Sequence, residues 1–389
     1  MVKRSIFLLL LFILSIPLQA QDELDLTWTR EILGEGIKPA LAVDANDIVH
    51  AAYITEEQMG GVFYVTNASG NWETSTVSQG YFYGPLDVAV SPEGQPFIAY
   101  HDHQSERFDQ ELGDEVVAIL ADGEWVLNTI EDAGHDGWDN SIAVDNNGFW
   151  HTASIDPVQF NPNSNGAEYA TNAYSDDGSY TVENIPQGAQ PYEFATSIAV
   201  ADDGTAGVTY WDSEGQDLIY AERSLGIDGE WLQEVVDSDG DVGRYAALVF
   251  DADSNPHIAY YLSEGRSGTI RYGWRNNDNE WNIEDVGIIE NLQSGMNPGA
   301  ARKITSLAMD SEGQVHIVYS DNLKLMYAVR GIDGTWSQQQ ILNGQDEQAL
   351  LGTLVEIALD SNDNPHIITY IVRQQRPLQA EILYLTTEN

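Results

Sequence analysis

The chain is 389 residues long and carries 62 acidic against 16 basic side chains, a formal net charge of -46 at pH 7, with no cysteine. A field of that sign repels nucleic acid and anionic membrane surfaces, which excludes both as general partners. The lack of cysteine excludes disulfides, thiol catalysis and Cys-ligated metal, so an apolar core has to hold the fold.

In chain order, Lys3 and Arg4 precede an apolar run from Ile6 to Ile16, and Leu18-Gln19-Ala20 supplies a small residue at the expected cleavage position. Residues 1–20 therefore read as a secretory signal peptide, and the product is expected to be secreted or periplasmic. No later stretch is apolar for the ~20 residues that a membrane helix needs, so no membrane insertion is expected. Residues 21–389 are expected to form a single domain.

A repeat follows, recurring at intervals of about 50 residues. Its anchor is a short apolar strand: Leu41-Ala42-Val43-Asp44, Val88-Ala89-Val90-Ser91, Ile142-Ala143-Val144-Asp145, Ile198-Ala199-Val200-Ala201, Leu248-Val249-Phe250-Asp251, Leu307-Ala308-Met309-Asp310 and Ile357-Ala358-Leu359-Asp360. A turn, a second strand and a third strand such as Leu325-Met326-Tyr327-Ala328 come next. In most units a fourth strand then opens with Trp72, Trp125, Trp231, Trp281 or Trp336. Four short strands with hairpin-length turns predict a blade, and seven such units predict an all-β, seven-bladed β-propeller with four-stranded antiparallel blades. The seventh unit ends after its third strand, while the Trp-strand pattern reappears ahead of the first unit at Leu26 to Leu33. The last blade is therefore closed by an N-terminal strand, which hides two sheet edges.

Asp and His stand six positions apart across the same turn at Asp44/His50, Asp145/His151, Asp251/His257, Asp310/His316 and Asp360/His366, and units two and four lose both together. A pair used five times around a ring reads as scaffold, each member satisfying the other or the turn amides. Tyr53, Tyr260 and Tyr319, three places after the His, read the same way.

The turns between first and second strands keep one length, whereas the connections on the opposite face vary widely, and long irregular loops on a rigid scaffold concentrate binding and chemistry. The three His outside the repeat, His101, His103 and His135, all fall there. His101-Asp102-His103 leaves the second strand of blade two and is compatible with a divalent metal ion, Ca or Zn, with acid/base chemistry, or with loop packing. Cations of the same face, Arg244, Arg302, Lys303 and Arg373 among them, suit a carboxylate or sulfate, or pair locally with Asp and Glu. Trp138, Trp211 and Tyr245 are candidate stacking surfaces for sugar rings.

The repeat from Ile142 to Asp145, with its turn Asn146-Asn147-Gly148 and then His151, resembles the repeats of secreted bacterial propellers, including the seven-bladed polysaccharide lyases that cleave ulvan. That resemblance covers the scaffold from Trp28 to Leu385. It implies a catalytic His in the loop leading into a blade, another at a strand exit, and Tyr and Arg nearby; His135, His103, Tyr192 and Arg244 are the matching positions here. Two functions follow. The first is a propeller that binds a carbohydrate or a protein through the variable-loop face. The alternative is a lyase on an acidic, uronate-containing polysaccharide, in which Arg neutralises the carboxylate, His or Tyr removes the C5 proton and Tyr protonates the leaving oxygen.

Overall fold

A computed structural model describes residues 22–387 except 56–59, 104–112, 131–136, 156–165, 176–178, 186–195, 225, 227–228, 266, 291, 293–302, 322 and 376. The candidate signal segment lies outside the described residues, and among those described no helix is long and apolar enough to cross a membrane.

The strands form seven antiparallel sheets in a ring. Blade one is Ile37–Val43, Val49–Ile54, Gly60–Thr66 and Glu73–Gly80, and burial falls from the inner strands to the outer one. Val49–Ile54 is buried at every position because neighbouring blades cover both faces of it. The hydrophobic core is accordingly divided into seven clusters, one chiefly at each junction between adjacent blades. This is why the sequence alternates less than a one-sided sheet does: both faces of the middle strands are interior.

Closure follows the expected route. Trp28–Glu35 pairs antiparallel with Leu378–Thr387 and forms the outer strand of blade seven, completing the sheet that contains Pro365–Gln375 and Glu356–Leu359. The sequence gives no warning of a second latch. Asp22–Glu23 runs parallel to Trp336–Asn343 and adds a fifth strand to blade six, so the N-terminal segment straddles the junction of blades six and seven. Two acidic residues are poor strand formers. Backbone pairing holds them, extended by Leu24 N donating to Gln338 O.

The face carrying the first turns repeats closely. At Asp44, Ser91, Asp145, Ala201, Asp251, Asp310 and Asp360 the backbone closes the same five-residue turn, and the residue three places on always has positive φ. Where the first residue is Asp, its carboxylate accepts the backbone N–H two and four places ahead, as Asp310 does from Glu312 and Gln314. The paired His turns Nε2 toward that carboxylate at 3.2–3.8 Å. A carboxylate only accepts, so Nε2 carries the proton and Nδ1 accepts a phenol O–H. The phenols are Tyr64, Tyr169, Tyr272, Tyr327 and Tyr384, all on third strands. Each of these rings meets the Trp of the next blade edge-on, with centroids 5.1–5.8 Å apart. The scaffold unit is thus Asp–His–Tyr with a Trp cap. Blade two replaces the first three with Ser91, Phe97 and Val117, and in blade four Phe250 of blade five occupies the space that Gly207 leaves beside Tyr220.

Burial holds the His257 imidazole below its usual pKa of 6.5, and the pull of Asp251 does not restore it. The neutral ring therefore contributes stability that is present above pH 6.5 and lost as pH falls below it, because the unfolded chain binds the proton more tightly. His257→Ala should destabilise the protein by about 1–3 kcal/mol through the phenol it strands. Urea melts on either side of pH 6.5 should show that deficit narrowing on the acid side, and a deficit that is absent at both pH values would mean the ring is not part of the scaffold.

Candidate active face

The opposite face carries the strand exits and holds two polar clusters and an ion-paired lysine. In blade two, the second strand Pro96–Asp102 turns Ile98 and Tyr100 toward blade one and Phe97 and Ala99 toward blade three. His101 continues the second set. Its ring lies 5.3 Å from Trp138, which starts the inner strand of blade three, and 5.9 Å from His103. Glu115 is the cross-strand neighbour of His101, and Ser154 of blade three donates to its carboxylate at 3.3 Å. A Cβ at Gly137 would lie 2.5 Å from the Glu115 Cβ, and its φ is +73, so the approach of the two blades requires glycine there. The pleat sends Asp102 the other way. Its carboxylate lies 3.6 Å from where a Gly80 Cβ would sit, and its charge adds to the burial that chiefly raises the pKa of Tyr100, on the blade-one side. The proposed metal set of His101, His103 and Asp102 is therefore divided between two faces of one strand, and among the described residues no group of three His, Asp or Glu is arranged to hold a metal ion.

His101 and His103 are 1% and 0% exposed, and Glu115 is buried with them. These side chains lie beneath the surface. Glu115 and Ser154 were not legible in the sequence, since neither lies in a motif and their meeting depends on how blades two and three stack.

A second feature the sequence hides is a bulge near the start of three inner strands. Lys38, Asp139 and Tyr245 all have positive φ, at register shifts between Ile37 and Ala40, Trp138 and Ser141, and Arg244 and Ala247. Bulges re-aim side chains, and non-glycine residues held at positive φ concentrate at functional sites. Thr196 secures the Asp139 bulge by donating its hydroxyl toward Asp139 O at 2.7 Å and Ala153 O at 2.9 Å. The three residues differ in type, so no sequence pattern marks the position.

The second cluster joins blades four and five. Arg244 donates to both carboxylate oxygens of Asp241, at 2.9 and 2.8 Å, and its guanidinium lies 4.2 Å over the Trp211 ring. Tyr245 packs on Tyr261 with centroids 6.1 Å apart. Trp211 and Tyr245 are 6% and 4% exposed. Trp211 backs the Arg244 guanidinium and Tyr245 packs into the junction of blades five and six, so neither offers an open stacking face. Arg373 stands apart on blade seven, paired with Glu381 and Glu347. Of the remaining candidates, His135, Tyr192 and Arg302 lie outside the described residues.

Of the two readings open to Lys303, an external anion or local pairing with carboxylates, the second holds. It lies just ahead of the inner strand of blade six, bridged by its backbone to blade seven, and its ammonium sits 2.5 Å from Glu356 and 3.7 Å from Asp87 of blade two. These carboxylates also stitch the ring. Glu356 accepts Leu41 N, Asp87 accepts Ile142 N, and at equivalent positions Ser197 accepts Leu248 N and Ser306 accepts Ile357 N. Burial and the neighbouring Asp87 push the Glu356 carboxyl up to about 7 against the pull of Lys303. Lys303, Arg244 and Arg373 are all matched by carboxylates, the local pairing that a strongly acidic chain favours.

No family model and no curated protein matches this sequence. Solved structures do match in shape. An ulvan lyase of polysaccharide lyase family PL25, bound to -[GlcA(1-4)Rha3S]-, aligns with a TM-score of 0.58 at 12% identity, over 90% of this chain and 93% of that one. The polysaccharide lyase Uly1 aligns at 0.51 and 11% identity, over 96% and 93%. A protein of unknown function from Dyadobacter fermentans aligns at 0.50 and 11%, over 92% and 96%. At such identities the likeness is one of fold: the chain is a seven-bladed propeller similar in architecture to polysaccharide lyases.

Proposed function

We propose that this propeller binds carbohydrate across the face that carries Arg244, Trp138 and the strand exits of blades two to five. The observation that supports this best is Arg244 itself, a guanidinium fixed by the Asp241 carboxylate on one side and the Trp211 ring on another. A planar fork held in one orientation loses little entropy on meeting hydroxyl or carboxylate groups, and the arrangement needs no catalytic partner. The ligand class that fits a fixed guanidinium is a uronate-bearing polysaccharide. Arg244→Ala should weaken binding to such a polymer about tenfold, the value of one charge-assisted contact, without lowering the melting temperature by more than the lost Asp241 pair accounts for. Raised salt should weaken the wild type similarly, since the contact is electrostatic. Affinity electrophoresis against pectate, alginate and ulvan reads both, and unchanged mobility shifts in Arg244→Ala and in high salt would remove Arg244 from the site.

The second reading, a lyase, draws on the convergence of His101, His103 and Glu115, which a simple binder does not require, and on the lyases that share the fold. In that chemistry a base takes the C5 proton, the 4-oxygen leaves with a proton, and a double bond forms between C4 and C5. Appearance of ultraviolet absorbance from the unsaturated product on any of the three polymers, and its loss in His103→Ala, would establish it over binding alone.

A further inference from the structure

The junctions between blades also form clefts on the outer rim, and the repeat fills them differently. In each of blades one, five and six, the Tyr three places after the scaffold His projects into the cleft shared with the preceding blade. Beside Tyr53 the residue that precedes the scaffold Tyr of the third strand is Phe63, and the two rings stack with centroids 5.8 Å apart. Beside Tyr260 that residue is Arg271, which pairs with Asp237 at 2.9 Å and with Asp285 at 3.1 Å, while the Tyr260 hydroxyl donates to Asp237. Blade six has Met326 at this position. There the cleft stays open, with a volume of about 310 Å³ between the outer strand of blade five and the second to fourth strands of blade six.

The opening is prepared on both sides. Gly287, opposite a register shift in blade five, leaves room for the Tyr319 hydroxyl, which would lie 2.1 Å from a Cβ there. Tyr319 donates to Gln338 at 3.0 Å, and the Gln338 amide donates across the junction to Val286 O, so hydroxyl and amide share one wall. Met326 and the well-exposed Ile288, at 63%, give the cleft an apolar side. Its charges are already matched. Asp285 engages Arg271, Glu290 engages Lys324 at 2.8 Å, and Asp321 accepts the backbone N–H of Leu323 and Lys324.

We infer that the rim cleft between blades five and six is a second binding site, independent of the loop face, for a neutral pyranose unit. A sugar ring presents an apolar face and a polar edge, which is the division the cleft presents, and the volume lies at the lower end for ligand pockets, enough for a single ring. With every carboxylate matched, an anionic sugar gains no attraction here and an uncharged one sacrifices none.

The test is saturation-transfer NMR on the intact protein with the methyl pyranosides of glucose, galactose, rhamnose, fucose and xylose, with Met326→Phe as the blocking variant. Blade one already accommodates a Phe beside its Tyr at this position, so the substitution fills the cleft in a way the fold tolerates, and an unchanged melting temperature verifies that. The expected result is transfer to at least one neutral glycoside that is insensitive to salt, abolished in Met326→Phe and retained in Arg244→Ala. The inference is overturned if no neutral glycoside shows transfer, if Met326→Phe leaves the signal intact, or if Arg244→Ala abolishes it, which would assign the signal to the loop face.

Discussion

Removal of residues 22–35 should cost this protein most of its stability. Trp28–Glu35 is the outer strand of blade seven, hydrogen-bonded along Leu378–Thr387, with Leu33 buried and the Trp28 ring set edge-on against Tyr327 at 5.2 Å. Trp28 also donates from its indole to Gln339 of blade six, where Asp22–Glu23 pairs with Ser337 and Gln338. The deletion exposes the last strand of blade seven and that of blade six together. Two large apolar side chains at about 1.5–3 kcal/mol each, with several net hydrogen bonds at about 1 kcal/mol, amount to roughly 5 kcal/mol or more. Whole-domain stability is about 5–15 kcal/mol, so the truncated chain should melt far lower and associate through its bare edges. Differential scanning calorimetry with light scattering reads both effects, and a melting temperature within a few degrees of the full chain would mean that the ring closes elsewhere. Trp28→Ala alone should produce a smaller loss in the same direction, which separates the strand's contribution from that of the two acidic residues before it.

The closure was legible because a whole strand was missing from one end of the repeat and present at the other. The Asp–His pairs were equally legible, since both residues flank a turn of constant length. Their phenol partners were not. The Tyr lies on the third strand, beyond a loop of varying length, so its distance from the His runs from 11 residues in His316/Tyr327 to 18 in His151/Tyr169. The same variation hid the pairing of Glu115 with Ser154, which lie 39 residues apart. Lys303 was visible as a cation but not as an interior one. Its neighbours in sequence resemble the other connections between blades, and only the closed ring brings Glu356 of blade seven and Asp87 of blade two to it. Contacts within a repeat leave a period in the sequence; contacts made once across the ring leave none.

Replacing Lys303 should produce the second large loss, and its pH dependence identifies the cause. One ammonium serves two carboxylates there, Glu356 and Asp87, and each carboxylate also accepts a backbone N–H from the following blade, so a single polar chain runs from blade one through Glu356 of blade seven to Lys303, and from Lys303 through Asp87 of blade two to blade three. Lys303→Met leaves two like charges in a buried site, and breaking a buried pair by removing one partner costs about 3–5 kcal/mol. In the wild type, burial first and Asp87 second already raise Glu356 from 4.5 to about 7 against the pull of Lys303. A carboxyl raised in the folded state contributes stability that is fully present below its unfolded pKa and lost as pH rises through the folded one. Without Lys303 the carboxyl rises further, so the deficit of Lys303→Met relative to wild type should be greatest above pH 7 and shrink as pH falls toward 4.5. The buried imidazoles, which lose stability over part of the same range, are common to both proteins and cancel in the difference. Adding Glu356→Gln keeps an oxygen for Leu41 N and removes the uncompensated charge, so the double variant should recover much of the loss at pH 8 and little at pH 5. A deficit below about 1 kcal/mol would place Lys303 in the class of exposed ion pairs, and a large deficit that neither low pH nor Glu356→Gln relieves would assign it to packing instead.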